Sequence, residues 1–222
     1  MDYMERMNAP AQIIEPVLTV ELRFHLCEAV RNGEMERNHR TRGGYPVNYA
    51  GQAAYAERVR YLHARLTEAG WARSDTDQQP AFTSACGGYR ILTMAGDNET
   101  GRLGGAGPRT RPKGPRTEAA VQRNEAILDR QVRLFPEDDD APTHPDPVTL
   151  FLVVKRDQEA DRVRAELSIA TQMTCHSAYV SYAWAVRELL LDEPVGDSPG
   201  TSGPTPATDP ETPDIDFDIE EI

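Results

Sequence analysis

Residues 148–170 read VTLFLVVKRDQEADRVRAELSIA, the clearest signal of regular structure in the chain. The first nine residues are almost all apolar and β-prone, which is typical of a strand buried on both faces. The last nine alternate Val163, Ala165, Leu167 and Ile169 with polar residues, which indicates a strand with one buried face. The intervening DQEAD suits a turn. We therefore predict a hairpin in an antiparallel sheet that is covered by helices on one side.

Two further segments are predicted to extend this sheet. Residues 177–191, SAYVSYAWAVRELLL, fit a helix through Val180, Trp184 and Leu191, but they also alternate as a strand. Their aromatic and β-branched content favours the strand, because the hairpin needs a neighbour. Residues 81–96, AFTSACGGYRILTMAG, have β-compatible residues on both sides of two glycines, which predicts a hairpin or two short strands.

Three helices are predicted from periodic apolar residues. The first follows Pro16, with Thr19 as its N-cap, and is expected to end near Gly33 after about fourteen residues. The second covers residues 48–70, with Asn48 as cap and Gly70 in the left-handed conformation. The third, EAAVQRNEAILDRQVRLF, is expected to begin after Thr117 as N-cap.

The chain of 222 residues is long enough for one domain. We predict a single α+β domain over 16–191, with a helical first part and a β-rich part over 148–191. A flexible arm over 1–15 precedes it. The longest apolar run, TLFLVV, is too short to span a membrane, and the first residues do not resemble a signal peptide, so we expect a cytoplasmic protein without membrane contact.

Charge is distributed unevenly. Residues 192–222 contain ten acidic residues and no basic one, which predicts a disordered acidic tail in a chain of net charge −12. Residues 100–117 are rich in Gly and Pro and are predicted to form a flexible loop. This loop contains five cations and no acid: Arg102, Arg109, Arg111, Lys113 and Arg116. Such a segment can follow a phosphate backbone and bind it in a salt-sensitive way, although a solvated surface loop has the same composition.

Motifs for catalysis or metal binding are weak. The chain has no GxSxG, GxxxxGK[ST] or HExxH motif and no Rossmann fingerprint opening a βαβ unit. His25 with Cys27 and Cys175 with His176 could supply four zinc ligands, but each pair lies in an apolar segment where cysteine packs as a small hydrophobe. We therefore predict no metal and no cofactor.

Two short segments suggest protein partners. QVRLF, within the third helix, resembles the peptide by which bacterial replication proteins dock on the sliding clamp, with Gln131, Leu134 and Phe135 at the matching positions. The same residues also continue the apolar stripe of that helix.

The end of the tail, PDIDFDIEEI, alternates Ile215, Phe217 and Ile219 with acids, a pattern that can occupy a groove or add a strand to a sheet edge. This tail resembles in composition the tail tips of bacterial single-stranded-DNA-binding proteins, which implies a role in recruiting a partner.

These features favour a non-enzymatic interaction protein of a bacterial or mobile-element assembly. Its basic loop would contact nucleic acid or another polyanion, and its tail would bind a protein partner or a second copy, giving a possible homo-oligomer. One alternative is a metal-dependent enzyme acting on nucleic acid or nucleotide, in which Asp97 and Glu99 hold magnesium with a third ligand. Another is a structural subunit of a phage-like particle.

Overall fold

The computed structural model describes residues 11–41, 45–46, 48–76, 79–102, 104–132 and 146–195. Within them, three long helices pack on a six-stranded, mostly antiparallel sheet, so the predicted α+β class is confirmed. The elements in chain order are α1 (Ala11–Ile14), α2 (Val20–Thr41), α3 (Tyr49–Glu68), β1 (Ala72–Ser74), β2 (Ala81–Thr83), β3 (Tyr89–Ala95), α4 (Pro115–Val132), β4 (Val148–Asp157), β5 (Arg162–Cys175) and β6 (Val180–Pro194).

The strands lie in the order of the chain, from β1 to β6. All neighbours are antiparallel except β3 and β4, which run parallel with Leu92 opposite Phe151. A parallel pair needs a crossover connection, and α4 provides it. The hairpins β2–β3 and β4–β5 confirm the predictions, and residues 180–194 form the strand that the aromatic content favoured.

The sheet is covered by helices on both faces, which differs from the one covered face that we expected. Leu150 and Leu152 of β4 pack in one cluster with residues of α2 and α3. Phe151 and Val153 point the other way and pack in a second cluster with Val121 of α4. The physical reason is the crossover: it places α4 on the face opposite α2 and α3, and so β4 is buried on both sides.

The end of α2 also differs from the sequence prediction. The helix continues through Gly33 to Thr41, and its start at Thr19 is as predicted, because the Leu22 N–H donates to Thr19 Oγ1 (3.1 Å). A Cβ at Gly33 would lie 2.7 Å from the carbonyl oxygen of Ala54 in α3. This glycine therefore permits close contact between two helices, which a side chain would prevent, and it does not end the helix.

At the ends of the other two long helices, one prediction is confirmed and two differ from the structure. Gly70 follows α3 with φ +81°, as predicted, whereas Asn48 precedes α3 without a side-chain cap hydrogen bond. Helix α4 begins at Pro115, two residues before the predicted cap Thr117, which is buried within the first turn. Proline suits this first position because its missing N–H would have no helical partner there.

The domain boundaries differ slightly from those expected. Ile14 of α1 is buried in the core although it falls in the predicted arm. Strand β6 extends to Pro194, three residues into the predicted tail. Residues 1–10 and 196–222 lie outside the described residues. No helix in the described segments is long and apolar enough to cross a membrane.

Candidate anion-binding cleft

A cleft of about 890 Å³ opens where the parallel strands β3 and β4 end. Ala95 and Gly96 at the end of β3 and Val154 near the end of β4 form its floor. The first turns of α3 line one side, and residues 109–113 of the basic loop line the other. In α/β sheets, ligands commonly bind beyond the carboxyl ends of parallel strands, because the chain leaves the sheet there in diverging directions.

The lining of this cleft is strongly cationic. Only Asp97 among the described lining residues is acidic. The chain contains two lysines, Lys113 and Lys155, and both lie in this cleft. The complete set of six lining cations is Arg37, Arg109, Arg111, Lys113, Lys155 and Arg156. A chain of net charge −12 therefore concentrates positive charge at one place on its surface.

Three of the six cations have carboxylate partners. Arg109 Nε lies 2.8 Å from Asp97 Oδ2, and Arg37 Nε lies 2.9 Å from Glu34 Oε2. Arg156 pairs with Asp161, but its Nη1 is buried without a hydrogen-bond partner in the described residues. These three guanidinium groups can still contribute to binding, since each has further donors.

The other three cations, Arg111, Lys113 and Lys155, make no salt bridge within the described segments. Burial lowers the pKa of the Lys113 ammonium, and the nearby positive charge of Arg111 lowers it further. Both effects disfavour the charged form of Lys113 in the folded protein, and no carboxylate among the described residues pairs with it. An anion in the cleft would supply the missing partner.

The loop that carries three of these cations is fixed by a buried carboxylate. Glu166 of β5 has a side chain only 2% exposed, and it accepts two hydrogen bonds from Arg187 of β6, at 3.0 and 2.7 Å. The same carboxylate accepts 2.7 Å hydrogen bonds from Ser168 Oγ and from the N–H of Gly101. Arg187 also donates to the carbonyl oxygen of Glu99 (3.0 Å). The loop backbone is thereby tied to both strands.

A second attachment lies closer to the cations. Thr110 exchanges both backbone hydrogen bonds with Val180 at the start of β6, at 3.0 and 2.8 Å. The Trp184 indole donates to the carbonyl oxygen of Pro108 (3.1 Å) and packs against Gly107, where a Cβ would overlap the ring. These contacts hold the first half of the loop against the sheet, where its glycines serve positive φ and close packing.

The structure brings together only part of the predicted loop site. Arg109, Arg111 and Lys113 line the cleft, as the charge pattern suggested. Arg102 instead lies 3.8 Å from Glu99, and Arg116 donates to the carbonyl oxygen of Gln79 (3.2 Å), so neither lines it. Sequence reasoning missed Arg37, Lys155 and Arg156, because they come from other elements and carry no local motif.

The remaining sequence candidates do not form a site in the described residues. No group of three or more His, Cys, Asp or Glu side chains in those segments is close enough to hold a metal ion. Cys27 is buried, whereas Cys86 and Cys175 are exposed. The partner-binding candidates Leu134, Phe135, Ile215, Phe217 and Ile219, and the side chain of Gln131, lie outside what the structure describes.

No protein-family model, curated protein or solved structure matches the chain. The chemistry of the cleft is then the main guide to function. Six cations on two sides of an open cleft can hold several phosphate or carboxylate groups at once.

Proposed function

We propose that this protein is a non-enzymatic nucleic-acid-binding protein that holds the phosphate backbone of its ligand in the cleft. The observation that carries the proposal is the gathering of six cations, including both lysines of the chain, around one cleft. Phosphate contacts supply most of the affinity of sequence-independent binding, because neutralising them releases condensed counterions.

The arrangement of the cations supports an extended polyanion over a single small anion. They come from three separate segments of the chain, namely α2, the loop before α4 and the end of β4. Five of the six are on the loop and β4, whose backbones are held by the sheet and by the Glu166 contacts. A row of phosphates can meet such a surface with little rearrangement of the protein.

The acidic tail is proposed to compete for the same cleft and to bind a protein partner or a second copy. Val195, the last described residue, donates its N–H to the carbonyl oxygen of Asp161 (2.8 Å), and Asp161 pairs with the cleft residue Arg156. Residues 196–222, which follow directly, carry eight acidic residues and no basic one. A segment of this length can extend up to about 90 Å, so it can reach the whole cleft.

Salt-dependent binding of a fluorescent single-stranded oligonucleotide tests the cleft. The variant Arg111→Ala/Lys113→Ala should bind more weakly than the natural chain, and the slope of log K against log salt should fall by about 1.4, because each lost phosphate contact removes about 0.7. Arg102→Ala is the matched control, since it removes a cation of the same loop that does not line the cleft. Equal losses in the control and the double variant would contradict the proposal.

The tail is tested in the full chain by neutralising three of its acids with Asp214→Asn, Asp216→Asn and Asp218→Asn. If the tail competes for the cleft, this variant binds the oligonucleotide more tightly at low salt, and the difference disappears in high salt. Replacing Ile215, Phe217 and Ile219 by serine keeps the charge, and should leave oligonucleotide affinity unchanged while weakening any self-association. No gain from the asparagine variant would reject competition.

A further inference from the structure

Two stacks of arginine and aromatic side chains include residues that line the cationic cleft or follow a lining residue directly in the chain. In the first, the rings of His176 and Tyr179 are stacked with centroids 4.4 Å apart and planes inclined by 26°. The guanidinium carbon of Arg109 lies over the Tyr179 ring, 4.8 Å from its centroid.

This first stack belongs to the cleft itself. Arg109 and Tyr179 are both lining residues, and the Arg109 side chain is 51% exposed. Asp97 binds its Nε at 2.8 Å, which fixes the guanidinium group against the tyrosine ring. This half-exposed guanidinium lies in the same cleft lining as the other cations. Nucleic-acid bases stack on arginine planes as well as on aromatic rings.

The second stack lies where α3 begins, next to the lining residue Asn48. Tyr45 and Tyr49 are stacked with centroids 4.9 Å apart and planes inclined by 20°, and the guanidinium carbon of Arg40 lies 5.3 Å from the Tyr45 centroid. Both tyrosines are exposed large apolar side chains, at 43% and 37%. Exposed aromatic rings of this kind can stack on nucleic-acid bases.

We infer that the ligand of the cleft is single-stranded nucleic acid, whose bases stack on these two arginine–aromatic stacks while its phosphates contact the cations of the cleft. This inference rests on the proposed function and specifies its ligand. Among the described residues, these are the two stacked aromatic pairs with planes within 30°. Tyr179 of the first stack lines the cleft, and Tyr49 of the second directly follows the lining residue Asn48 in the chain. In a duplex the base faces are buried against one another, so a duplex can use the cations but not the stacks.

The first test compares three probes with equal numbers of phosphates on the full chain: a single-stranded oligonucleotide, a duplex of half its length, and inorganic polyphosphate. The single strand should bind at least tenfold more tightly than either of the others at the same salt. Equal binding of all three would retain the cationic cleft and overturn the inference about bases. Absence of binding by all three at low salt would instead overturn the proposed function.

The second test separates stacking from charge. Tyr49→Leu and Tyr179→Leu should each weaken single-strand binding by roughly 5- to 150-fold, the range expected for loss of one base–aromatic contact. Neither changes the charge, so the salt slope should stay as in the natural chain, and duplex affinity should not change. Tyr179→Phe keeps the ring and should bind almost normally, which shows that loss in the leucine variant is due to the ring.

Phe24→Leu is the matched control for removal of an exposed aromatic side chain. Phe24 is 55% exposed on α2 and does not line the cleft. The Phe24→Leu variant should bind the single strand as tightly as the natural chain does. If Phe24→Leu loses as much affinity as Tyr49→Leu, the stacks have no special role and the inference is wrong. The inference is also wrong if the single strand binds and neither tyrosine variant loses affinity for it.

Discussion

Replacing Glu166 by glutamine should loosen the loop that carries the cleft cations. The carboxylate is 2% exposed and accepts four hydrogen bonds, two of them from Arg187, whose side chain is 15% exposed. An amide in its place turns an acceptor into a donor that faces the guanidinium, and leaves a nearly buried positive charge without its partner. Removing one member of a buried ion pair costs about 3–5 kcal/mol, and the residual exposure of Arg187 favours the lower end, about 3 kcal/mol.

Urea unfolding measures this loss. With a slope of about 2–3 kcal/mol per molar urea for a chain of this size, the midpoint should fall by roughly 1–1.5 M. Arg187→Gln should cost a similar amount, and the double variant should cost clearly less than the sum of the two, because the pair is coupled. The exposed pair Arg65–Glu68 gives the control, since Glu68→Gln should hardly move the midpoint. A loss below about 1 kcal/mol for Glu166→Gln would refute the anchoring role.

Three further predictions concern glycines and one lysine. Gly33→Ala places a methyl group against the facing helix and should lower the free energy of unfolding, measured in urea, by about 1–3 kcal/mol. Gly51→Ala is the control: its Cβ would make only ordinary contacts, so this variant should be neutral or stabilising by up to about 1 kcal/mol. Equal losses in the two variants would contradict the close helix contact. Gly107→Ala and Gly104→Ala both place alanine at positive φ, but only the first overlaps an indole ring, so it alone should shift tryptophan emission and weaken oligonucleotide binding. The pKa of Lys113 is lowered below the ordinary value of 10.5, and the bound anion needs the charged ammonium, so oligonucleotide affinity should fall as the pH rises through that lowered pKa. Lys113→Arg should abolish this fall in affinity.

The same pKa shift affects stability with the opposite sign. In the pH range between the lowered pKa of folded Lys113 and 10.5, the unfolded chain binds more protons than the folded chain. The contribution of this group to the free energy of unfolding therefore rises with pH across that range. Binding and stability should thus move in opposite directions as the solution is made alkaline, and thermal unfolding of Lys113→Arg alongside the natural chain would measure the difference.

The strands could be predicted from sequence where one physical cause dominates. The continuous apolar run of β4 and the alternation of β5 require burial, and both strands form as expected. The ambiguous segment that became β6 was resolved correctly by its aromatic and β-branched content. Gly33 shows where local rules fail: after an apolar stripe, a glycine that ends a helix and one that permits helix contact are indistinguishable until the partner helix is known.

The site could be predicted only in part for a similar reason. Arg109, Arg111 and Lys113 lie together in sequence, so their clustering in the cleft follows from the loop. Arg37 of α2 and Lys155 of β4 reach the same cleft only through the packing of the helices against the sheet, which no short window of sequence contains. The fixing of the loop depends on Glu166 and Arg187, which face each other across two strands. Gly and Pro content alone suggested flexibility.

Lysine acetylation followed by mass spectrometry tests the central claim most directly, because both lysines of the chain line the cleft. The full chain is treated with a limiting acetylating reagent, with and without a saturating single-stranded oligonucleotide at low salt, and again in salt that releases the ligand. If nucleic acid occupies the cleft, Lys113 and Lys155 are both protected several-fold at low salt and regain full reactivity at high salt. Saturating binding that leaves both lysines as reactive as in the free protein would contradict the claim.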